Sequence, residues 1–239
     1  MNRNVFNSKN LLRLITFLYF IWVFTLGEFR QAYMLWNVFL AWIPFEAAGV
    51  IYKLLIKDEN NTAMYIIIGI CSVIWFLFYP NAPYILTDFI HLENNKYNIL
   101  VSPGSLYTSA KYIFNTDMGI WLDFFNIAVG VWIGYMLGFI SLFMIHKLVK
   151  KRFNGFIAWI FVFTMNILTG FAIYLGRFIR WNSWDLIFNP SNILKVLFRD
   201  IHAESIKFTA LFGLLNLFLY LINYSILVYS RGDEKRLDY

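Results

Sequence analysis

The sequence is poor in charge: only 14% of its 239 residues are charged, whereas 60% are hydrophobic. Soluble domains usually carry about 25% charged residues, and a chain of this length forms only one or two small domains, whose cores cannot absorb so much apolar content. The single cysteine, Cys71, excludes an intrachain disulfide. Short segments of alternating polar and apolar residues are also lacking, which excludes a transmembrane barrel. A soluble globular fold is therefore excluded.

What the chain has instead is long apolar runs. A membrane-spanning helix needs about 20 such residues, and in lipid the backbone must satisfy its own hydrogen bonds, so these runs must be helices. We predict an all-α, polytopic transmembrane bundle of six spans, with short amphipathic helices in the outer loops and a single integral membrane domain over residues 1–239. The predicted spans are 11–26, 31–55, 62–79, 119–146, 156–176 and 208–229.

Lys and Arg are distributed unequally between the two alternating sets of connections. The denser set has the shorter connections and contains Arg3, Lys9, Arg13, Lys53, Lys57, Lys147, Lys150, Lys151, Arg152, Arg231, Lys235 and Arg236. Because cytoplasmic loops are enriched in basic residues, we expect both termini inside and the long connections 80–118 and 177–207 outside. The net charge of +6 thus reflects topology rather than nucleic-acid binding. The richness in Asn, Lys, Ile and Phe is typical of an AT-rich bacterial genome. We therefore expect the chain in a bacterial cell membrane.

The third run ends in a polar string, Tyr79-Pro80-Asn81-Ala82-Pro83-Tyr84-Ile85-Leu86-Thr87-Asp88-Phe89-Ile90-His91-Leu92. If a helix resumes after the prolines, Asp88 and His91 share a face, since they are three residues apart. Asp88 could then orient His91 as a general base, both could bind a metal, or Asp88 could simply cap a helix. We predict that Asp88 and His91 are the catalytic pair of a site.

The second polar string is Gly176-Arg177-Phe178-Ile179-Arg180-Trp181-Asn182-Ser183-Trp184-Asp185. If it is helical, Arg177 lies near Trp181 and Arg180 near Trp184. Two arginines are well suited to a phosphate or a carboxylate, such as a lipid headgroup or a lipid-linked phosphate. The alternative is an aromatic belt at the membrane interface with snorkelling arginines.

Other polar groups lie at the predicted outer ends of the runs. Asp88, His91 and Asp123 have ligand types that suit a divalent metal, although no diagnostic metal spacing is present, so the cofactor stays open. The predicted substrate-binding residues are Asn37, Asn81, Asp123, Arg177, Arg180, Trp181, Asn182, Trp184 and Asp185.

Within the spans, Gly130, Gly134 and Gly138 form a smooth stripe that is typical of close helix packing. Pro44 predicts a kink in the second helix. Glu46 follows it, and an acid inside a membrane has either a function or a partner. Deeper polar residues, which a transporter would need, are few: Glu46, Asn166 and Thr169.

The chain resembles a bacterial family of predicted membrane proteins, domain of unknown function 1361. The matching strings are Leu35-Trp36-Asn37 through Pro44, Pro80 to Tyr84 with Thr87, Asp88, His91 and Leu92, Trp121 with Asp123, Gly138 with Ser141, and Tyr174 to Arg177 through Asp185. The chain departs from the family in a longer stretch between His91 and Trp121. The resemblance implies a membrane protein and supplies no reaction.

Three functions remain open. The favoured one is an outward-facing polar site that binds or processes an anionic lipid or cell-envelope substrate. The first alternative is a non-catalytic scaffold or a subunit of a larger complex with a protein partner, and the second is a transporter. The expected partners are the lipid bilayer and an anionic headgroup.

Overall fold

The computed structural model describes residues 3–26, 31–57, 61–104, 109–184 and 202–237. Six helices in these ranges are long and apolar enough to cross a membrane, which confirms the predicted all-α architecture and its six spans. The long helices are α1 (Arg3–Leu26), α2 (Ala32–Lys57), α3 (Thr62–Phe78), α5 (Met118–Arg152), α6 (Gly155–Tyr174) and α7 (Ala203–Leu237).

Asparagine side chains cap the first turns of two helices, α3 and α6. The Asn61 side chain accepts a hydrogen bond from the backbone N–H of Ala63 at 3.0 Å, at the start of α3. The Asn154 side chain accepts one from Ile157 at 2.9 Å, at the start of α6. These contacts satisfy backbone donors that a helix leaves unpaired in its first turn.

Shorter elements connect α3 to α5. The four-residue helix α4 (Asn81–Tyr84) is followed by a 3₁₀ helix, Ile85–Asn94. Strands β1 (Asn98–Ser102) and β2 (Lys111–Phe114) then pair in antiparallel orientation. The sequence did not predict this hairpin, which lies between His91 and Trp121. Its strands are rich in β-branched and aromatic residues, which favour extended backbone.

The chain divides into two compact units. The first comprises Met1–Val38 with Ile85–Ile133, and the second comprises Phe39–Tyr84 with Gly134–Tyr239. The single domain expected from the sequence stays a prediction.

In the first unit, α1 and α2 approach α5 at Gly130. A Cβ atom on Gly130 would collide with the hydroxyl of Tyr19 and with the methyl group of Met34. The Tyr19 hydroxyl also donates to the backbone oxygen of Asn126 at 3.0 Å. The first member of the glycine stripe therefore permits a close approach, as small residues do in membrane helices.

In the second unit, α5 packs against α2, α3 and α4 through small and polar contacts. A Cβ atom on Gly138 would lie 2.8 Å from the Cβ of Ala82. Three residues further on, Ser141 accepts a hydrogen bond from the Trp75 indole at 2.8 Å and donates to the backbone oxygen of Pro44 at 3.0 Å. Pro44 lies inside α2, which continues past it to Lys57.

Helices α6 and α7 cross at two glycines. A Cβ atom on Gly170 would collide with the backbone oxygen of Thr209, and one on Gly213 would lie 3.2 Å from the backbone oxygen of Asn166. Backbone-to-backbone contact of this kind is possible only where side chains are absent.

Candidate functional site

The pair Asp88 and His91 lies on the 3₁₀ helix that follows Pro80 and Pro83. Side chains three residues apart are eclipsed in such a helix, so both point the same way, as the sequence predicts. The nearest oxygen of Asp88 lies 3.8 Å from Nε2 of His91, with the Asp88 side chain 2% exposed and that of His91 41% exposed. This distance is longer than a hydrogen bond, so the pair is a close contact between a buried carboxylate and an accessible imidazole.

Helix α2 holds this pair in place. Asn37 donates from Nδ2 to Oδ2 of Asp88 at 2.7 Å, while the Tyr33 ring packs on the His91 ring with centroids 4.8 Å apart. Tyr33 and Asn37 are four residues apart, so they share one face of α2. One turn of helix therefore positions both members of the predicted catalytic pair.

Asp123 lies in a second polar group of the same unit. Gln31 donates from Nε2 to Oδ1 of Asp123 at 2.8 Å, and the Trp22 indole donates to Oδ1 of Asn126 at 2.7 Å. Both amides are thereby fixed in orientation. Oε1 of Gln31 and Nδ2 of Asn126 are buried without a partner among the described residues.

Gln31, Asn126 and Trp22 belong to this group in the structure and were not predicted from the sequence. Asn126 follows Asp123 by three positions on α5, and that spacing could have indicated it. Gln31 could not have been found in this way, because its partner is 92 residues away in the chain.

No group of three His, Cys, Asp or Glu side chains in the described part of the chain is arranged to hold a metal ion. The predicted metal at Asp88, His91 and Asp123 stays a prediction, and the chemistry proposed below does not require it.

The second polar string belongs to the second unit, where it packs on α4. Asn81 donates from Nδ2 to Oγ of Ser183 at 2.8 Å. The guanidinium of Arg177 lies over the ring of Tyr84, 5.1 Å from its centroid, and a Cβ on Gly176 would lie 3.0 Å from the same ring. The two strings that carry the family resemblance therefore contact each other directly.

The helical arrangement expected for this string is wrong beyond Ile179. Residues Leu175–Ile179 form a π-helical turn, and Arg180 adopts a left-handed conformation with φ 62° that ends the helix. The i, i+4 stacks expected for Arg177 with Trp181 and for Arg180 with Trp184 depended on a continuing helix. Such wide turns are often found at functional positions, and a non-glycine residue with positive φ is uncommon.

The remaining predicted substrate-binding residues follow this turn. The side chains of Arg180 and Asn182 are exposed, and those of Trp181 and Trp184 are half-buried. Asp185 lies outside the described residues.

The polar groups that lie deeper in the spans belong to the second unit. Glu46 is half-buried on α2, whereas Asn166 and Thr169 are 1% and 0% exposed on α6. The Asn166 amide donates to the backbone of its own helix at Val162, at 2.8 Å. A transporter path would need polar groups open to water, so Asn166 and Thr169 do not favour one.

Six apolar spanning helices with polar groups at their ends define a multi-pass membrane protein of the all-α class. The family described as Protein of unknown function (DUF1361) matches residues 36–219, and the chain belongs to this family. No curated protein matches it, and no solved structure does. The matched range includes both polar strings but not Trp22 and Gln31.

Proposed function

We propose that this protein resides in a bacterial cell membrane with both termini in the cytoplasm, and that its outer face binds and processes an anionic lipid or cell-envelope substrate. The observation that carries the proposal is the contact between buried Asp88 and accessible His91, 3.8 Å apart.

The chemistry of this pair is that of a general base with an orienting carboxylate. An exposed imidazole can accept a proton from a substrate hydroxyl, and a buried carboxylate beside it stabilises the imidazolium that forms. Asn37, at 2.7 Å, keeps the carboxylate of Asp88 from rotating. Hydrogen bonds in catalytic pairs are often long before substrate binds, so 3.8 Å suits a pair that tightens on binding.

The second polar string, which belongs to the second unit, carries groups that suit an anion. Arg177 is oriented by Tyr84, and Arg180 follows the π-helical turn with an exposed side chain. Guanidinium groups bind phosphates and carboxylates through paired hydrogen bonds. We propose that Arg180 binds an anion within the second unit, with Asn182, Trp181 and Trp184 as further contacts.

The assignment of faces rests on the distribution of Lys and Arg. A fluorescent-protein fusion after Tyr239 should fluoresce, and an alkaline phosphatase fusion at the same position should be inactive, because the first folds in the cytoplasm and the second outside it. The reverse result would place the polar strings on the inner face.

The site itself is tested in a deletion strain. We expect that the strain accumulates or lacks a lipid or envelope species, and that His91→Gln and Arg180→Gln fail to restore the wild-type profile in extracts analysed by mass spectrometry. His202→Gln and Arg13→Gln are matched controls, because both residues are exposed outside the two strings. Full restoration by both test variants, at equal protein levels, would contradict the proposal.

A non-catalytic scaffold is the second candidate, and the contact between the two strings favours it. Asn81 binds Ser183 and Arg177 covers Tyr84, which is what an interlocked structural core requires. A scaffold predicts that Asn81→Leu abolishes function while His91→Gln and Arg180→Gln retain it, and that a stoichiometric partner remains bound through native electrophoresis.

A further inference from the structure

A cavity of about 470 Å³ lies between the last turns of α5 and residues 224–228 of α7. It belongs entirely to the second unit and shares no residue with the polar strings. Ligand sites typically have volumes of about 300–1,000 Å³, so this cavity is large enough for a headgroup-sized molecule.

One wall of the cavity is basic. Lys147, Lys150 and Lys151 line it, and the described lining residues include no acidic side chain. Lys147 lies over the rings of Tyr52 and Phe143, at 4.9 Å and 5.0 Å from their centroids. Three ammonium groups in one concave wall repel each other, and a bound anion relieves that repulsion.

A buried histidine is among the residues that line the cavity. His146 is 2% exposed, and its Nδ1 lies 2.7 Å from the hydroxyl of Tyr220. Its Nε2 is buried with no hydrogen-bond partner among the described residues. Buried polar atoms are nearly always paired, and leaving one unpaired costs about 1–3 kcal/mol.

The aromatic surroundings fix the orientation of this ring. The Trp159 ring packs edge-on against it, with centroids 4.8 Å apart, and the Tyr224 ring stacks on it at 5.7 Å. When the Tyr220 hydroxyl donates to Nδ1, Nε2 carries the proton and is a donor. The ring therefore has a fixed orientation, and the unpaired Nε2 of this lining residue is a hydrogen-bond donor.

The remaining wall is apolar. Leu227 and Val228 line the cavity on α7, and Val228 is 52% exposed. Basic residues at a span end are common for topological reasons alone, but topology does not explain a buried imidazole beside them whose Nε2 has no partner among the described residues. Basic pockets between spanning helices suit phospholipid headgroups.

We propose that this cavity binds a phosphate group, with the oxyanion accepting a hydrogen bond from Nε2 of His146 and the three lysines supplying the opposing charge. The phosphate is that of an anionic phospholipid, whose chains lie along Leu227 and Val228, or that of a soluble organic phosphate. This site is independent of the function proposed above.

Native mass spectrometry of the full-length protein in neutral detergent tests the proposal. The probes are dioleoylphosphatidylglycerol, dioleoylphosphatidylcholine as a zwitterionic control, and glycerol 3-phosphate as the soluble phosphate. Lys150→Gln should weaken binding roughly fivefold, as expected for loss of one lysine near an anion. Lys53→Gln, an exposed lysine that does not line the cavity, should leave it unchanged.

His146→Phe keeps an aromatic ring and removes the donor, so it should weaken binding as well, with folding checked by size-exclusion chromatography. If His146→Phe does not fold, Lys150→Gln still tests the proposal. Binding of phosphatidylglycerol alone identifies a lipid site, and binding of glycerol 3-phosphate identifies a site for soluble phosphate. The proposal is overturned if neither binds, or if Lys150→Gln binds as tightly as Lys53→Gln.

Discussion

Ser141 links three helices of the second unit, and its replacement by alanine gives a quantitative test of how they are held together. Its hydroxyl accepts from the Trp75 indole at 2.8 Å and donates to the backbone oxygen of Pro44 at 3.0 Å. Ser141 is 0% exposed and Trp75 is 4% exposed. Ser141→Ala therefore leaves the buried indole N–H of Trp75 without an acceptor. Water cannot take the place of the lost hydroxyl, because the site is buried.

The expected loss of stability follows from that unpaired donor. A buried donor without a partner costs about 1–3 kcal/mol, whereas interhelical hydrogen bonds in membranes average about 0.6 kcal/mol and reach about 1.7 kcal/mol. Because the hydroxyl makes two such bonds and alanine creates almost no cavity, we expect Ser141→Ala to lower the free energy of unfolding by about 1–2 kcal/mol.

Reversible unfolding in mixed micelles with increasing sodium dodecyl sulfate measures this change. In a double-mutant cycle, Trp75→Phe should lower the free energy of unfolding less when Ser141 is already alanine than when it is serine. The expected coupling energy is about 0.6–1.7 kcal/mol. Thr25→Ala is the matched control, because Thr25 is exposed and its hydroxyl donates to the backbone of its own helix, and it should change stability by less than about 0.5 kcal/mol. Strict additivity in the cycle would refute the reasoning.

Two further predictions concern packing and polar pairing. Gly138→Ala should destabilise the protein by about 1–3 kcal/mol in the same detergent unfolding assay, because the new methyl group would lie 2.8 Å from the Cβ of Ala82. The matched control is Gly69→Ala, whose new methyl group would have nothing within 4 Å. This control should be neutral or stabilising. Trp22→Phe should cost about 1–2 kcal/mol, because it removes the donor to Oδ1 of Asn126, and an unchanged thermal midpoint would contradict that reasoning.

The spans could be predicted from the sequence because the length of an apolar helix is set by the membrane. Helix ends were harder to predict. Helix α5 continues to Arg152, six residues past the predicted end. The predicted span ended early because lysines in the last turns lower the hydropathy, although a helix tolerates them. Apolar runs do not indicate the hairpin, because its two strands are short and exposed.

Within the candidate site, the sequence indicates which polar residues lie at the ends of apolar runs. It does not indicate which residues they contact. Spacing placed Asp88 with His91, since both lie on one short helix. It could not pair Asn37 with Asp88, 51 residues away. Burial of a polar group requires a partner, yet only the packing of distant helices decides which partner it is.

The glycine contact between α6 and α7 has a consequence for how the chain is made. The ribosome completes α6 before α7 exists, so the strip of α6 that carries Asn166, Thr169 and Gly170, all buried in the finished protein, first meets lipid or the insertion machinery. Polar groups and bare backbone on that strip are costly there. The last two helices should therefore leave the translocon as one hairpin, and a chain released before Ala203 should be a substrate for membrane proteases.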